Sequence, residues 1–156
     1  MKIMIMSREK IENFAKKPFE KNTAVISMTD FDWTFAELEN KPEYLLQLKC
    51  DDIDGYIFRD ELGRAPTEEE RRLIEEKYHM LSDEQAAAVA EFYKEVCDTA
   101  QTIICQCEHG QSRSAAIAAA IAEHRNRKGI MIFSDDRYSP NKLIFRKVLK
   151  ALRGDV

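Results

Sequence analysis

The chain lacks any apolar run approaching the roughly 18 residues that a membrane span requires, so no membrane partner is expected. Glycine and proline are scarce, 5 and 4 residues among 156. No Pro/Gly-rich linker, internal repeat or low-complexity tract interrupts the sequence. A single domain over residues 1–156 is therefore expected, within the usual size of about 100–200 residues. Cysteine is also sparse: Cys50, Cys97, Cys105 and Cys107 are too few for a disulfide scaffold. The opening MKIMIMSREKIENF reaches charge too early for an export signal. Reduced thiols and a cytoplasmic setting are the expectation. Positive charge is not in excess, with 24 Lys and Arg against 28 Asp and Glu for a net charge of −4. That balance argues against a nucleic-acid partner. What is present, 44% hydrophobic and 33% charged residues, suffices for a core without staples.

Four short apolar runs read as strands: Lys2–Met6, Ala24–Met28, Tyr44–Lys49 and Thr102–Gln106. Helical signals lie between and after them. Ser7 can cap a helix through Phe14. Thr67 with Glu70, and Ser82 with Gln85, form capping boxes. The first opens a helix to about Met80; the second precedes Ala86, Val89, Phe92, Tyr93 and Val96 at helical spacing. A further helix runs from about Ser112 to Arg127 with Gly129 closing it. The last opens at Ser139-Pro140. Residues 55–66 read as a surface loop. Strands interleaved with helices predict an α/β domain with a small, mostly parallel central sheet flanked by helices. Acids gather over residues 60–84 and bases over 125–153, which reads as two solvated helix faces or as an anion-attracting rim.

Chemistry concentrates in Thr102–Ala122, TIICQCEHGQSRSAAIAAAIA. A β-branched strand enters Cys107-Glu108-His109-Gly110-Gln111-Ser112-Arg113-Ser114, and a small-residue helix follows. Backbone N–H groups at such a strand–loop–helix junction hold an anion together with the helix N-terminus. Gly110 permits a backbone conformation that a side chain hinders. Arg113 can offer two parallel N–H bonds to phosphate oxygens. The same dipole and amides favour a thiolate at Cys107, so a nucleophile and an anion cradle converge. Ala115, Ala116, Ala118, Ala119 and Ala122 allow the helix to lie close to the sheet.

Cys-x₅-Arg with Gly at the fourth position and Ser after the Arg resembles the signature of the protein tyrosine phosphatase superfamily, in its small dual-specificity-like branch. The resemblance implies an α/β fold and metal-free, cofactor-free hydrolysis of phosphomonoesters through a phosphocysteine. It implies a phosphorylated substrate, either a phosphotyrosine protein or a small phosphoester. Carried over by position, Cys107 is the nucleophile, and Arg113 with the amides of Glu108, His109, Gly110, Gln111, Ser112 and Arg113 holds the phosphoryl oxygens. Ser114 hydrogen-bonds the sulfur. The family's general acid falls in Cys50-Asp51-Asp52-Ile53-Asp54-Gly55, with Asp52 the first choice and Asp54 the alternative. Two features depart from the family or its chemistry. Gln106 stands where the family usually has His, and Glu108 sets an acid beside the nucleophile, opposing thiolate formation unless it turns away.

Other readings compete. A phosphate-binding pseudophosphatase would keep the cradle without turnover, and a phosphoinositide or RNA 5′-phosphate could replace a protein substrate. Cys105, Cys107 and His109 form C-x-C-x-H, a spacing shorter than structural zinc sites use. His109 reads as a loop-surface residue, and His79 and His124 as exposed helix positions. Cys50 and Cys97 read as small core hydrophobes, and Trp33 with Phe31 and Phe35 as core or loop packing. Asp135, Asp136 and Arg137 read as turn chemistry, with Arg137 and Tyr138 at the pocket rim.

Overall fold

The computed structural model describes residues 1–154. Four strands, β1 (Lys2–Met6), β2 (Thr23–Thr29), β3 (Tyr44–Lys49) and β4 (Thr102–Gln106), form one sheet in the order β1-β4-β2-β3. Every pairing is parallel, where the sequence suggested a mostly parallel sheet. Seven helices accompany them among the described residues: α1 (Arg8–Phe14), α2 (Tyr56–Leu62), α3 (Glu68–Lys77), α4 (Asp83–Val96), α5 (Arg113–Asn126), α6 (Gly129–Phe133) and α7 (Lys142–Leu152).

Strand alternation sorts the core into two layers. Ala24, Ile26, Met28, Ile103 and Cys105 pack with residues of α4, α5 and α7 on one face. Val25 and Ile104 face the other way, against Ile11, Ala15, Ala36 and Leu38. Helix α5 is buried from Arg113 to Ala122, because its small side chains let the sheet, α6 and α7 all approach it. This explains its lack of an exposed stripe.

The capping signals at Ser7, Thr67 and Ser82 are all present as side-chain caps. Other boundaries differ from the sequence reading. The 55–66 stretch holds α2, whose left-handed C-cap is Gly63. Helix α5 is closed by Arg127 at φ 58°, not by Gly129. Gly129 instead opens α6, where a Cβ would meet the Ala119 carbonyl oxygen at 2.9 Å. The last helix is capped by Asn141, whose side chain accepts from the Ile144 amide, one residue beyond Ser139-Pro140. The acidic and basic stretches partly meet each other, since Lys147 of α7 pairs with Glu75 of α3 and with Asp83 of α4.

A parallel sheet brings the C-terminal ends of all its strands to one edge, and ligands of α/β folds bind there. Here that edge gathers Ser7-Arg8 after β1, Asp30 after β2, Cys50–Asp54 after β3 and Cys107–Ser112 after β4.

Candidate active site

Cys107 leaves β4 on the α5 side of the sheet and is only 2% exposed. Its Sγ lies 3.0 Å from Ser114 Oγ, and the Ser114 amide points at the sulfur from 3.4 Å. The loop rests on the β1–α1 junction. The Cys107 amide donates to the Met6 carbonyl at 3.3 Å. Gly110 adopts φ 67°, and a Cβ there would stand 2.7 Å from the Ser7 nitrogen and 2.8 Å from the Met6 carbonyl carbon. Both the left-handed backbone and the close approach require glycine.

The amides flanking the loop are satisfied, by Met6 on one side and the Cys107 sulfur on the other. The six amides from Glu108 to Arg113 find no acceptor among the described residues. Six adjacent amides without a protein acceptor are donors left available to an anion. Arg113 adds the charge. Its side chain is 5% exposed, with Nη1 donating at 2.7 Å both to Asp30 Oδ1 and to the Cys50 carbonyl. Its Nε is buried without a partner, a costly arrangement in a native fold unless a ligand supplies the acceptor. Burial alone would lower the guanidinium pKa, but the nearby Cys107, Cys50 and Asp30 raise it instead. The cation is permanent.

Gln106 is fully buried. Its Nε2 donates to the Cys107 carbonyl at 2.9 Å, and its Oε1 accepts from Ser27 Oγ. The amide thus fixes the loop's first peptide from below. Glu108 is engaged by Arg8, its carboxylate lying 2.7 Å from Arg8 Nε. His109 and Gln111 are exposed at the loop surface.

The acid-rich segment divides its labour. Asp51 accepts from the Phe31 amide at 2.9 Å. Asp52 Oδ1 accepts from Ser112 Oγ at 2.8 Å and from Asn141 Nδ2 at 3.0 Å, which places this carboxylate against the loop. Asp54 instead receives the Gly55, Lys142 and Leu143 amides through its two oxygens; it holds the first turn of α7. Cys107, Arg113, Ser114, Asp52 and residues 108–112 therefore come together, and Asp54 faces the helix.

Three contributors escaped the sequence reading: Arg8, Asn141 and the Cys50 carbonyl. Their signal is positional, at strand C-termini or at the helix start beside Pro140. Other residues fall elsewhere. His79 is half-buried at φ 51°, beyond the end of α3, and stacks on Phe31 at 3.7 Å. Trp33 is 60% exposed, not packed in a core. Arg137 pairs with Asp135 at 2.7 Å. Cys105 lies in the core, and no three His, Cys, Asp or Glu side chains converge on a metal-sized site among the described residues.

No protein-family model and no curated protein matches the sequence. Among solved structures, Tk-PTP in the active form superposes with a TM-score of 0.54 at 16% identity, covering 100% of this chain and 94% of that one. Human DUSP28 gives 0.49 at 14% identity, covering 97% and 92%. PTPMT1 gives 0.45 at 11%, covering 98% and 90%. The chain has the fold of the protein tyrosine phosphatase superfamily.

Proposed function

We propose that this chain, folded as a protein tyrosine phosphatase, is a cysteine-dependent phosphomonoester hydrolase of the tyrosine or dual-specificity kind, working in the cytoplasm as one domain. The observation that carries the reading is the buried Arg113, whose Nε has no partner, beside a run of unpaired loop amides and one thiol. Such a site fits a tetrahedral oxyanion better than any neutral group.

In the first step the Cys107 thiolate forms a bond to phosphorus as the bond to the leaving oxygen breaks, and Asp52 protonates that oxygen. In the second, water attacks the phosphocysteine while Asp52 takes its proton, and the sulfur leaves as thiolate with Ser114 hydrogen-bonded to it. Arg113 and the amides of residues 108–113 stabilise the equatorial oxygens throughout, the main source of catalysis in phosphoryl transfer. The substrate is a phosphorylated protein side chain or a small phosphoester presented to this edge of the sheet.

The test is turnover of an aryl phosphate, with acid quenching to trap phosphate on Cys107. Cys107→Ser should abolish turnover and retain binding of inorganic phosphate, since the cradle survives. Near-wild-type activity in that variant would refute the covalent mechanism. Phosphate binding without turnover in the wild-type protein would identify a pseudophosphatase.

A further inference from the structure

The nucleophile is followed by an acid, an arrangement that by itself works against the chemistry proposed above. A carboxylate at Glu108 repels both a thiolate at Cys107 and an incoming phosphate dianion. The structure answers this with one residue. Arg8 Nε donates to Glu108 Oε2 at 2.7 Å, while Nη2 donates to Thr29 Oγ1 at 2.9 Å and to the Thr34 carbonyl. The Arg8 side chain is 15% exposed and the Glu108 side chain 37%, so solvent screens the pair on the glutamate side and the arginine is held in place by its partners.

Arg8 also acts through its backbone. Its amide donates to the Glu108 carbonyl at 3.1 Å. Because a trans peptide is planar with its C=O and N–H opposed, drawing that carbonyl toward α1 aims the His109 amide the opposite way. From these contacts we infer that Arg8 is a positioning residue for the phosphate loop, holding and neutralising Glu108 so that an acid can follow the nucleophile without opposing anion binding. The inference rests on the phosphatase reading for its purpose, but not for its measurement.

Alkylation of Cys107 by neutral iodoacetamide, followed by mass spectrometry on the intact protein, reads the thiol without any turnover. Inorganic phosphate serves as the anion probe, through its protection against alkylation. Arg8→Met frees the Glu108 charge. It should slow Cys107 alkylation and weaken phosphate protection, each on the order of tenfold, the size of one nearby charge left unpaired. Glu108→Gln frees the Arg8 charge instead and should do the opposite, speeding alkylation and tightening phosphate protection. The double variant should return close to wild type in both readouts. Arg8→Lys keeps the charge but cannot reach Glu108, Thr29 and Thr34 together. It should therefore restore alkylation more fully than kcat.

A merely structural role would move both single variants in the same direction, so parallel losses in Arg8→Met and Glu108→Gln overturn the proposal, as do unchanged rates in both. If Arg8→Met fails to fold, Glu108→Gln carries the test: faster alkylation with tighter phosphate protection supports the proposal, and slower or unchanged alkylation overturns it. Wild-type protein that binds phosphate but never hydrolyses an ester, with the opposed shifts intact, would sink the phosphatase reading and leave this one standing.

Discussion

Asn141 reaches back 89 positions in the chain to set its side-chain amide 3.0 Å from Asp52 Oδ1. The same Nδ2 donates to the Ile53 carbonyl at 3.1 Å, its Oδ1 caps α7 through the Ile144 amide, and its own backbone amide donates to the Ser112 carbonyl. One buried residue thus ties the acid-bearing segment, the phosphate loop and the start of α7 together. These hydrogen bonds hold the Asp52 carboxylate against the loop.

Asp52→Asn should therefore expose the acid's role through the leaving group. A phenol with a pKa near 10 leaves badly without a proton, whereas a nitrophenol or fluorinated coumarin leaves readily. General acids contribute on the order of 10²–10⁴-fold. Hydrolysis of phosphotyrosine should fall by about that factor and hydrolysis of the activated esters by much less. Equal losses on both, or none, would move the acid elsewhere.

Asn141→Ala removes a cap and a tether at once. Loss of the cap costs about 0.5–2 kcal/mol, read as a drop in Tm. Loss of the tether should lower kcat on phosphotyrosine more than on activated esters, as a weaker copy of Asp52→Asn. Asn141→Ser separates the two, because a serine caps the helix but is too short to reach Asp52. Stability should recover and the leaving-group effect should persist. Recovery of both would reduce Asn141 to a cap.

Much of this was legible in the sequence, for physical reasons that can be named. The four strands are short β-branched or apolar runs, and three of the four side-chain-capped helices, those opened by Ser7, Thr67 and Ser82, carry their caps in plain view, so local signals and the fold agree. The Cys107–Ser114 loop was legible because its chemistry and its backbone demands lie in one continuous stretch. Helices α2 and α6 were not, since α2 has no buried residue and no side-chain cap and α6 buries only Gly129. Arg8 and Asn141 stand far from the loop in sequence, and reach it through the parallel pairing of β1 with β4 and through the start of α7 respectively. That Asp52 faces Ser112 while Asp54 holds the α7 amides needed the same long-range information, because both residues follow the same strand.

Arg113→Lys should fail almost as badly as Arg113→Ala. Nη1 is already committed to Asp30 and the Cys50 carbonyl, which leaves the rest of a planar fork for the ligand. An ammonium group offers a point charge and cannot satisfy both the fixed partners and a phosphoryl group. kcat/KM should drop by at least two orders of magnitude, about 3 kcal/mol of transition-state stabilisation. A mild lysine phenotype would remove the guanidinium from the transition state.

Gly110→Ala and Gly63→Ala make a matched pair, both at φ 67°. A Cβ at Gly63 meets nothing within 4 Å, whereas at Gly110 it meets backbone at 2.7 Å. Gly63→Ala should cost only the left-handed penalty, about 1–2 kcal/mol, and leave activity unchanged. Gly110→Ala adds a clash that only a shift of the loop can relieve. Its Tm should fall further and kcat should collapse. Equal Tm losses with activity retained in both would show that the loop does not depend on its contact with Met6 and Ser7.

The remaining thiols separate by burial. Burial pushes Cys50 and Cys105 from an ordinary 9.0 up to about 12, with the Arg113 charge opposing the rise at Cys50 and Asp52 and Asp51 adding to it. Under native conditions near neutral pH, iodoacetamide should label Cys107 before either of them, and inorganic phosphate should protect Cys107 alone. The same shifts predict an alkaline loss of stability. Both thiols bind their protons more tightly folded than unfolded, so their contribution is fully present below about pH 9 and is lost as pH rises toward 12. Cys105→Ala should be less stable than wild type near neutral pH, because it opens a small cavity beside the sheet. The deficit should narrow as denaturation is repeated at higher pH, where the wild-type thiol loses its advantage. A deficit that stays constant from neutral to alkaline pH would mean that Cys105 resists deprotonation no better in the folded chain than in the unfolded one.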